Sequence, residues 1–247
     1  MDTMAWFREY TDAHQPDGVW TAEADCAVRA SLSMDEAAKQ YAAAWADSLI
    51  AAEACTPACG KALFATLAAT GDEKYRTAIE GVMARIGREP ADVIDSAEAM
   101  YAVLPFRMAY EMKLGGMEKV GKVAAKFREA HKAMWDAKRG LFGGDVRSTA
   151  YALLALTDAI DTCADQLYEH WRAMVDIYRE VLRGVLTVEA PADETGAMLV
   201  YAIHEGVRMN LIDPERYLPV AEKRVAVLRA AGCDTVAAML EMKGGAL

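Results

Sequence analysis

One event recurs five times along the chain. A segment rich in Ala and Leu ends in a tight turn, and a charged segment then opens with an acidic residue followed by a Tyr. The turns are Ser33-Met34-Asp35 leading to Tyr41, Thr70-Gly71-Asp72-Glu73-Lys74-Tyr75, Gly115-Gly116-Met117-Glu118, Asp161 through Asp165 to Tyr168, and Asp213-Pro214-Glu215-Arg216-Tyr217. The third keeps the turn glycines but lacks the Tyr. A period of roughly 40 to 50 residues suits full-length αα-hairpins, and a fixed repeat of that length dictates the whole architecture.

Periodicity and punctuation place helices at about 2–13, 21–31, 34–50, 57–70, 73–87, 92–113, 116–136, 145–161, 164–183, 193–210, 213–230 and 234–243. Neighbours alternate in character. The stretch Ser148-Thr149-Ala150-Tyr151-Ala152-Leu153-Leu154-Ala155-Leu156-Thr157 carries no charge, and a helix apolar around its circumference must be enclosed. The helix before it carries Glu118, Lys119, Lys122, Lys126, Arg128, Glu129, Lys132 and Asp136, the pattern of a solvent-facing helix. The same contrast marks 57–70 against 73–87 and 193–210 against 213–230. Inner and outer helices alternating in this way predict an all-α fold, an (α/α)6 toroid of six helical hairpins, as one domain over 1–247.

Five rim connections from outer to inner helices are longer: Pro16-Asp17-Gly18-Val19-Trp20, Ala54-Cys55-Thr56-Pro57, Gly87-Arg88-Glu89-Pro90, Lys138 through Gly144, and Val188 through Asp193. Loops carry function more often than scaffolds do, so a site is expected where the inner helices begin.

Charge and composition exclude several classes. A formal charge of −10 over 247 residues argues against nucleic acid, because phosphate binding needs clustered Lys and Arg. No apolar run is long enough to predict a membrane span. Met1-Asp2-Thr3-Met4-Ala5-Trp6 lacks the basic start and apolar stretch of a signal peptide, which makes the cytoplasm the expected compartment. Cys26, Cys55, Cys59, Cys163 and Cys233 are an odd, scattered set, expected to be buried free thiols. Cys55 and Cys59 stand four apart with Pro57 between them and no His pair beside them. His14, His131, His170 and His204 lack metal-site spacing, so neither a metal nor another cofactor is expected. His131 and His170 are expected in solvent and His204 in the core.

Several stretches, in order, resemble the unsaturated glucuronyl and rhamnogalacturonyl hydrolases, glycoside hydrolase families 88 and 105 of the six-hairpin glycosidases. They are Gly60-Lys61-Ala62-Leu63-Phe64 through Thr70-Gly71-Asp72-Glu73-Lys74-Tyr75, Tyr101-Ala102-Val103-Leu104-Pro105-Phe106, Arg147-Ser148-Thr149-Ala150-Tyr151-Ala152-Leu153, Glu194-Thr195-Gly196-Ala197-Met198-Leu199-Val200-Tyr201-Ala202, Gly206-Val207-Arg208, and Tyr217-Leu218-Pro219-Val220-Ala221-Glu222-Lys223. The resemblance implies action on an oligosaccharide whose terminal uronic acid carries a C4–C5 double bond. In the family an Asp protonates that bond, water adds and the ring opens, unlike hydrolysis by two carboxylates across the glycosidic bond.

In the family that Asp lies seven residues before the Pro-Phe pair, where this chain has Glu98; the nearest Asp is Asp95. Glu98 and Asp95 are the candidate proton donors, or simply helix-start acids. One extra methylene moves a carboxyl by about an ångström, and misplacement on that scale can cost about 100-fold in rate. Trp20 matches a family aromatic and is a candidate for stacking a sugar ring. Arg147 matches a family Arg and could grip a uronate in a bidentate fork, or form a structural ion pair with Asp145 or Glu194. Tyr151 and Glu194 complete the candidate binding set, with Glu23 and Asp25 nearby. The family's Trp two before the Arg is Asp145 here, its Trp four after is Tyr151, and its Trp- and His-bearing loop is reduced to Arg88-Glu89-Pro90-Ala91-Asp92.

Three functions remain open at this stage. One is a hydrolase of unsaturated uronides. Another is a catalytically degenerate toroid that binds carbohydrate or another small polar ligand. The third is a helical interaction scaffold with no sugar ligand, for which a homodimer is the form considered.

Overall fold

The computed structural model describes residues 3–32, 36–87, 94–163, 167–189 and 191–231. The predicted turn Ser33-Met34-Asp35, the loop Arg88 through Asp92, Asp165, Ala190, Cys233 and the predicted helix 234–243 lie outside them. Among the described residues the helices are α1 (Thr3–Ala13), α2 (Ala22–Ser31), α3 (Glu36–Ala51), α4 (Gly60–Thr70), α5 (Glu73–Ile86), α6 (Ala97–Lys113), α7 (Val120–Met134), α8 (Val146–Thr162), α9 (Tyr168–Val185), α10 (Glu194–Arg208) and α11 (Pro214–Ala230). They alternate outer and inner: α2, α4, α6, α8 and α10 face the axis, and the architecture is the (α/α)6 toroid.

The alternation follows from side-chain chemistry. Every residue from Thr149 to Ile160 of α8 and from Thr195 to Val207 of α10 is buried. By contrast, α9 buries one stripe, Met174, Val175, Ile177, Tyr178, Val181, Leu182 and Val185, and turns its charged face outward. The recurring Tyr has a mechanical role in three hairpins. Tyr41, Tyr75 and Tyr217 are buried; Tyr75 donates to Asp47 at 2.8 Å and Tyr41 to the His14 carbonyl at 2.7 Å. Tyr168 departs from the pattern and stands 57 % exposed.

Boundaries differ from expectation where backbone chemistry intervenes. Residues Pro57–Cys59 form a 3-10 turn before α4, because Pro57 supplies no amide donor at the helix start. The predicted helix 116–136 begins at Val120 and ends at Met134. Beyond it the chain makes a short hairpin, β1 (Trp135–Asp136) against β2 (Leu141–Phe142), in an otherwise helical fold. Asp136 closes that turn by accepting from the Lys138 and Arg139 amides.

The core falls into two parts. The larger joins α6 through α11 around Phe127, Phe142, Leu153, Leu154 and Tyr178. The smaller joins α1 through α5 around Phe7, Trp45, Leu49, Leu63 and Ile79, and takes Phe106 and Ala109 from α6. Gly60 makes that join tight: a Cβ there would come within 2.7 Å of the Phe106 ring. The seam between the two parts runs through the middle of the toroid.

Candidate functional site

The starts of the inner helices are held by their own side-chain caps. Thr21 accepts from the Ala24 amide, Ser96 from Ala99, Asp145 from Ser148 at 2.8 Å, and Asp193 from Thr195 at 2.8 Å. Each satisfies an amide that the helix leaves open. Asp145, which stands at a family Trp position, is therefore spent on the α8 cap.

Among the predicted site residues, Glu98, Arg147 and Tyr151 come together. The Arg147 guanidinium lies 5.8 Å from the centre of the Tyr151 ring. Its pKa is raised by the Tyr151 hydroxyl, with Glu98 and Asp193 adding to the shift. Tyr151 is 9 % exposed and packs on Tyr101, ring centres 5.3 Å apart. Glu98, in the first turn of α6, and Arg147, in the first turn of α8, are both exposed. One helical turn below each lies its Tyr, so the pair forms a shallow dish with a Tyr101–Tyr151 floor.

The other candidates lie elsewhere on this end. Asp95 is exposed just ahead of the Ser96 cap. Glu194 is exposed and, with Glu23, acts on Cys26, whose thiol is pushed up to about 12 first by burial and then by Asp25. Glu23 accepts a hydrogen bond from Tyr10 at 3.2 Å. Trp20 is half-buried and packs edge-on against Trp45 of outer helix α3, ring centres 5.7 Å apart. His131, expected in solvent, stacks against Trp135 instead, and His204 is buried as expected.

Beneath the dish a set of paired charges crosses the axis. Arg29 of α2 reaches three carboxylate oxygens: Nε to Asp25 at 2.6 Å, and Nη1 and Nη2 to Asp158 of α8 at 2.8 and 2.7 Å. Lys61 of α4 donates to Asp158 at 2.7 Å and to the Tyr201 hydroxyl of α10 at 3.0 Å. The guanidinium also lies 5.8 Å from the Tyr101 ring centre and 5.1 Å from that of Tyr201. Every described inner helix thus contributes a side chain to one knot across the seam. Burial alone would raise the Asp158 carboxyl, yet Arg29 and Lys61 outweigh it and hold the pKa well below the ordinary range. Burial likewise opposes the charge on Lys61, and Asp158 more than restores it. Tyr101 is pushed well up by burial and then by Asp25.

Sequence reasoning singled out Asp25 but missed Arg29, Lys61, Asp158 and Tyr201 as a group. The available signal was chemical: isolated charges of both signs on helices otherwise made of Ala, Leu and Val, which the interior accepts only as pairs. Among the described residues, no group of three or more His, Cys, Asp or Glu is placed to hold a metal ion. No described helix is long and apolar enough to cross a membrane.

No protein-family model matches the chain, and no curated protein matches it. Solved structures do share its fold. It superposes on a glycosyl hydrolase of family 88 from Bacteroides vulgatus with a TM-score of 0.68 at 14 % identity, covering 90 % of this chain and 82 % of that one. A possible family 105 member from Klebsiella pneumoniae gives 0.67 at 13 % identity, covering 85 % and 70 %. A family 105 glycoside hydrolase from C. acetobutylicum gives 0.59 at 18 % identity, covering 69 % of this chain and 61 % of its own length. The chain thus spans about three fifths of the C. acetobutylicum enzyme. Its fold is the six-hairpin toroid of these glycoside hydrolases.

Proposed function

We propose that this chain is a non-hydrolytic toroid that binds a uronic-acid-terminated oligosaccharide on the dish formed by Glu98, Arg147, Tyr151 and Tyr101. The observation that carries this reading is that Glu98 stands exposed above charges that are already paired with one another. A catalytic site would keep its polar groups unpaired for substrate and strip water from the proton donor, whereas here Arg29, Asp25, Asp158, Lys61 and Tyr201 beneath Tyr101 are already bonded to one another. Glu98 remains exposed at the lip. The same dish suits recognition: Arg147, exposed above the Tyr151 ring, offers the fork that pairs with a carboxylate.

A second reading keeps the reaction, with Glu98 as proton donor to the C4–C5 double bond of an unsaturated uronide. It is favoured by the placement of Glu98 beside Arg147 at the position the family resemblance assigns to its acid. Asp95 is a weaker donor in that reading, because it precedes the cap and shares no described contact with Arg147.

One experiment separates the two. Unsaturated disaccharides from a lyase digest are titrated calorimetrically, and the ultraviolet absorbance of the double bond is followed in the same mixtures. The expected result is binding in the millimolar range, about −4 kcal/mol, weakened by Arg147→Ala, with the absorbance unchanged. An absorbance loss that Glu98→Gln abolishes would replace this reading with the hydrolase. No heat and no turnover across the panel would defeat both.

A further inference from the structure

From the Pro57 turn and Lys61 to the helix ends at Lys113 and Thr162, the seam between the two cores opens into a cleft of about 570 Å³ between α2, α4, α6 and α8. Volumes of about 300–1,000 Å³ are those of small-molecule sites. We propose that this cleft binds a small amphipathic organic anion, an aromatic or alicyclic ring bearing a carboxylate.

One wall is apolar. Phe64 and Phe106 pack with ring centres 5.5 Å apart, and Pro105, Ala65, Ala68 and Ala109 extend the surface on either side. Pro105 lacks an amide hydrogen, and alanines on α4 leave room where larger residues would close the gap. A flat ring could lie against this wall with little rearrangement.

The polar groups are unequal, and that inequality selects an anion. Arg29 and Lys61, at the floor, are neutralised by Asp25 and Asp158. Lys39 is held by Glu36, and Asp161 by Arg208 at 2.6 Å. Lys113 stands apart: at the exposed end of α6 it lies 5.8 Å from the Phe64 ring centre and makes no ion pair among the described residues. The packing around it pushes its pKa down, Asp161 only partly restores it, and Lys61 lowers it further. An ammonium in that position gains from a carboxylate more than a hydrated surface lysine does. The cleft lining holds four cationic side chains against three carboxylates, in a chain whose net charge is −10. Ring against Pro105, Ala65 and Ala68, which overlie the buried Phe64 and Phe106, and carboxylate towards Lys113, is the orientation these groups specify.

The test uses the full chain with 2-naphthoate as probe and the uncharged naphthalene methanol as control, both by calorimetric titration. Saturable one-site binding of the naphthoate is expected, at least tenfold tighter than that of the alcohol. Lys113→Met, which keeps the stem and removes the charge, should erase most of that tenfold preference. Ala65→Trp, which fills the cleft, should abolish binding of both compounds while the urea midpoint stays within error of the parent. Equal affinity for acid and alcohol, or naphthoate binding that survives Ala65→Trp in a folded protein, would overturn the proposal. Displacement of naphthoate by an unsaturated disaccharide would overturn it too, since it would make the cleft a sugar site.

Discussion

The buried knot at the seam makes a quantitative demand on stability. Arg29→Met removes the cation that bonds both Asp25 and Asp158, leaving Lys61 on Asp158 alone. Three charge-assisted bonds at 2.6–2.8 Å are lost, but the larger effect is the buried anion left without its partner. Breaking a buried pair in this way costs about 3–5 kcal/mol, and the upper half of that range is expected because Asp25 loses its cation outright while Asp158 loses two of its three charged bonds. Lys61→Met should cost about 1–2 kcal/mol, since its side chain is 24 % exposed and water compensates. At about 2–4 °C per kcal/mol for a chain of this size, Arg29→Met should lower Tm by roughly 10 °C.

The pH dependence has a defined sign. Asp158 has its pKa depressed in the fold, so its ion pairs contribute fully above the ordinary carboxylate value near 4 and lose that contribution as pH falls below it. The gap between parent and Arg29→Met should therefore narrow below about pH 4. Urea and thermal unfolding followed by circular dichroism at several pH values read the free energies and the Tm, and one transition is expected for the parent, since the knot ties the two cores. An Arg29→Met cost below about 1 kcal/mol, or a Lys61→Met cost that equals it, would refute the reasoning.

Two further outcomes are expected. Among the four described thiols Cys55 should be the first alkylated by iodoacetamide at neutral pH, because the neighbouring Cys59 thiol, with Arg85 adding to it, lowers its pKa against the pull of burial, while Cys59, Cys26 and Cys163 are all shifted upward; peptide mass spectrometry reads the order, and Cys26 labelling before Cys55 would contradict it. Gly184→Ala should destabilise by about 3 kcal/mol in urea unfolding, since the new Cβ would fall 1.9 Å from the Gly140 carbonyl oxygen, backbone against backbone, and a loss under about 1 kcal/mol would count against that close approach.

Much of the fold was legible because it rests on local periodicity. The uncharged run in α8 and the one-sided stripe of α9 each announce their own layer, with no reference to distant residues. The turns at Asp72 and Asp213 were readable for the same reason, as each caps its helix through a bond to an amide two residues on. The knot was not legible, because its members pair across the chain: Arg29 with a residue 129 positions away and Lys61 with one 97 positions away. The dish lay between these cases. Ordered resemblance brought Glu98, Arg147 and Tyr151 onto one list, but their exposure depends on what packs beneath them. The cleft left no trace in periodicity, since it arises where α2 and α4 stand apart, with the Pro57–Cys59 turn and Gly60 seating α4 on Phe106.

The dish and the cleft can be compared by what their polar groups still have to satisfy. Around the dish, Thr21, Ser96, Asp145 and Asp193 are committed to helix amides, each cap worth about 1 kcal/mol. Below them, the carboxylates of Asp25 and Asp158 are committed to Arg29 and Lys61. A catalytic funnel needs the reverse condition: polar groups oriented but unsatisfied until substrate arrives, at a cost in stability. Glu98 and Arg147 keep some of that availability, but they keep it in water, where a carboxylate gains little from enclosure and an arginine still recognises an anion. Recognition therefore tolerates this rim better than proton transfer does. In the cleft, Lys113 is the cation with no ion pair among the described residues, and it faces an apolar wall. The same accounting that argues against chemistry at the dish argues for a ligand in the cleft.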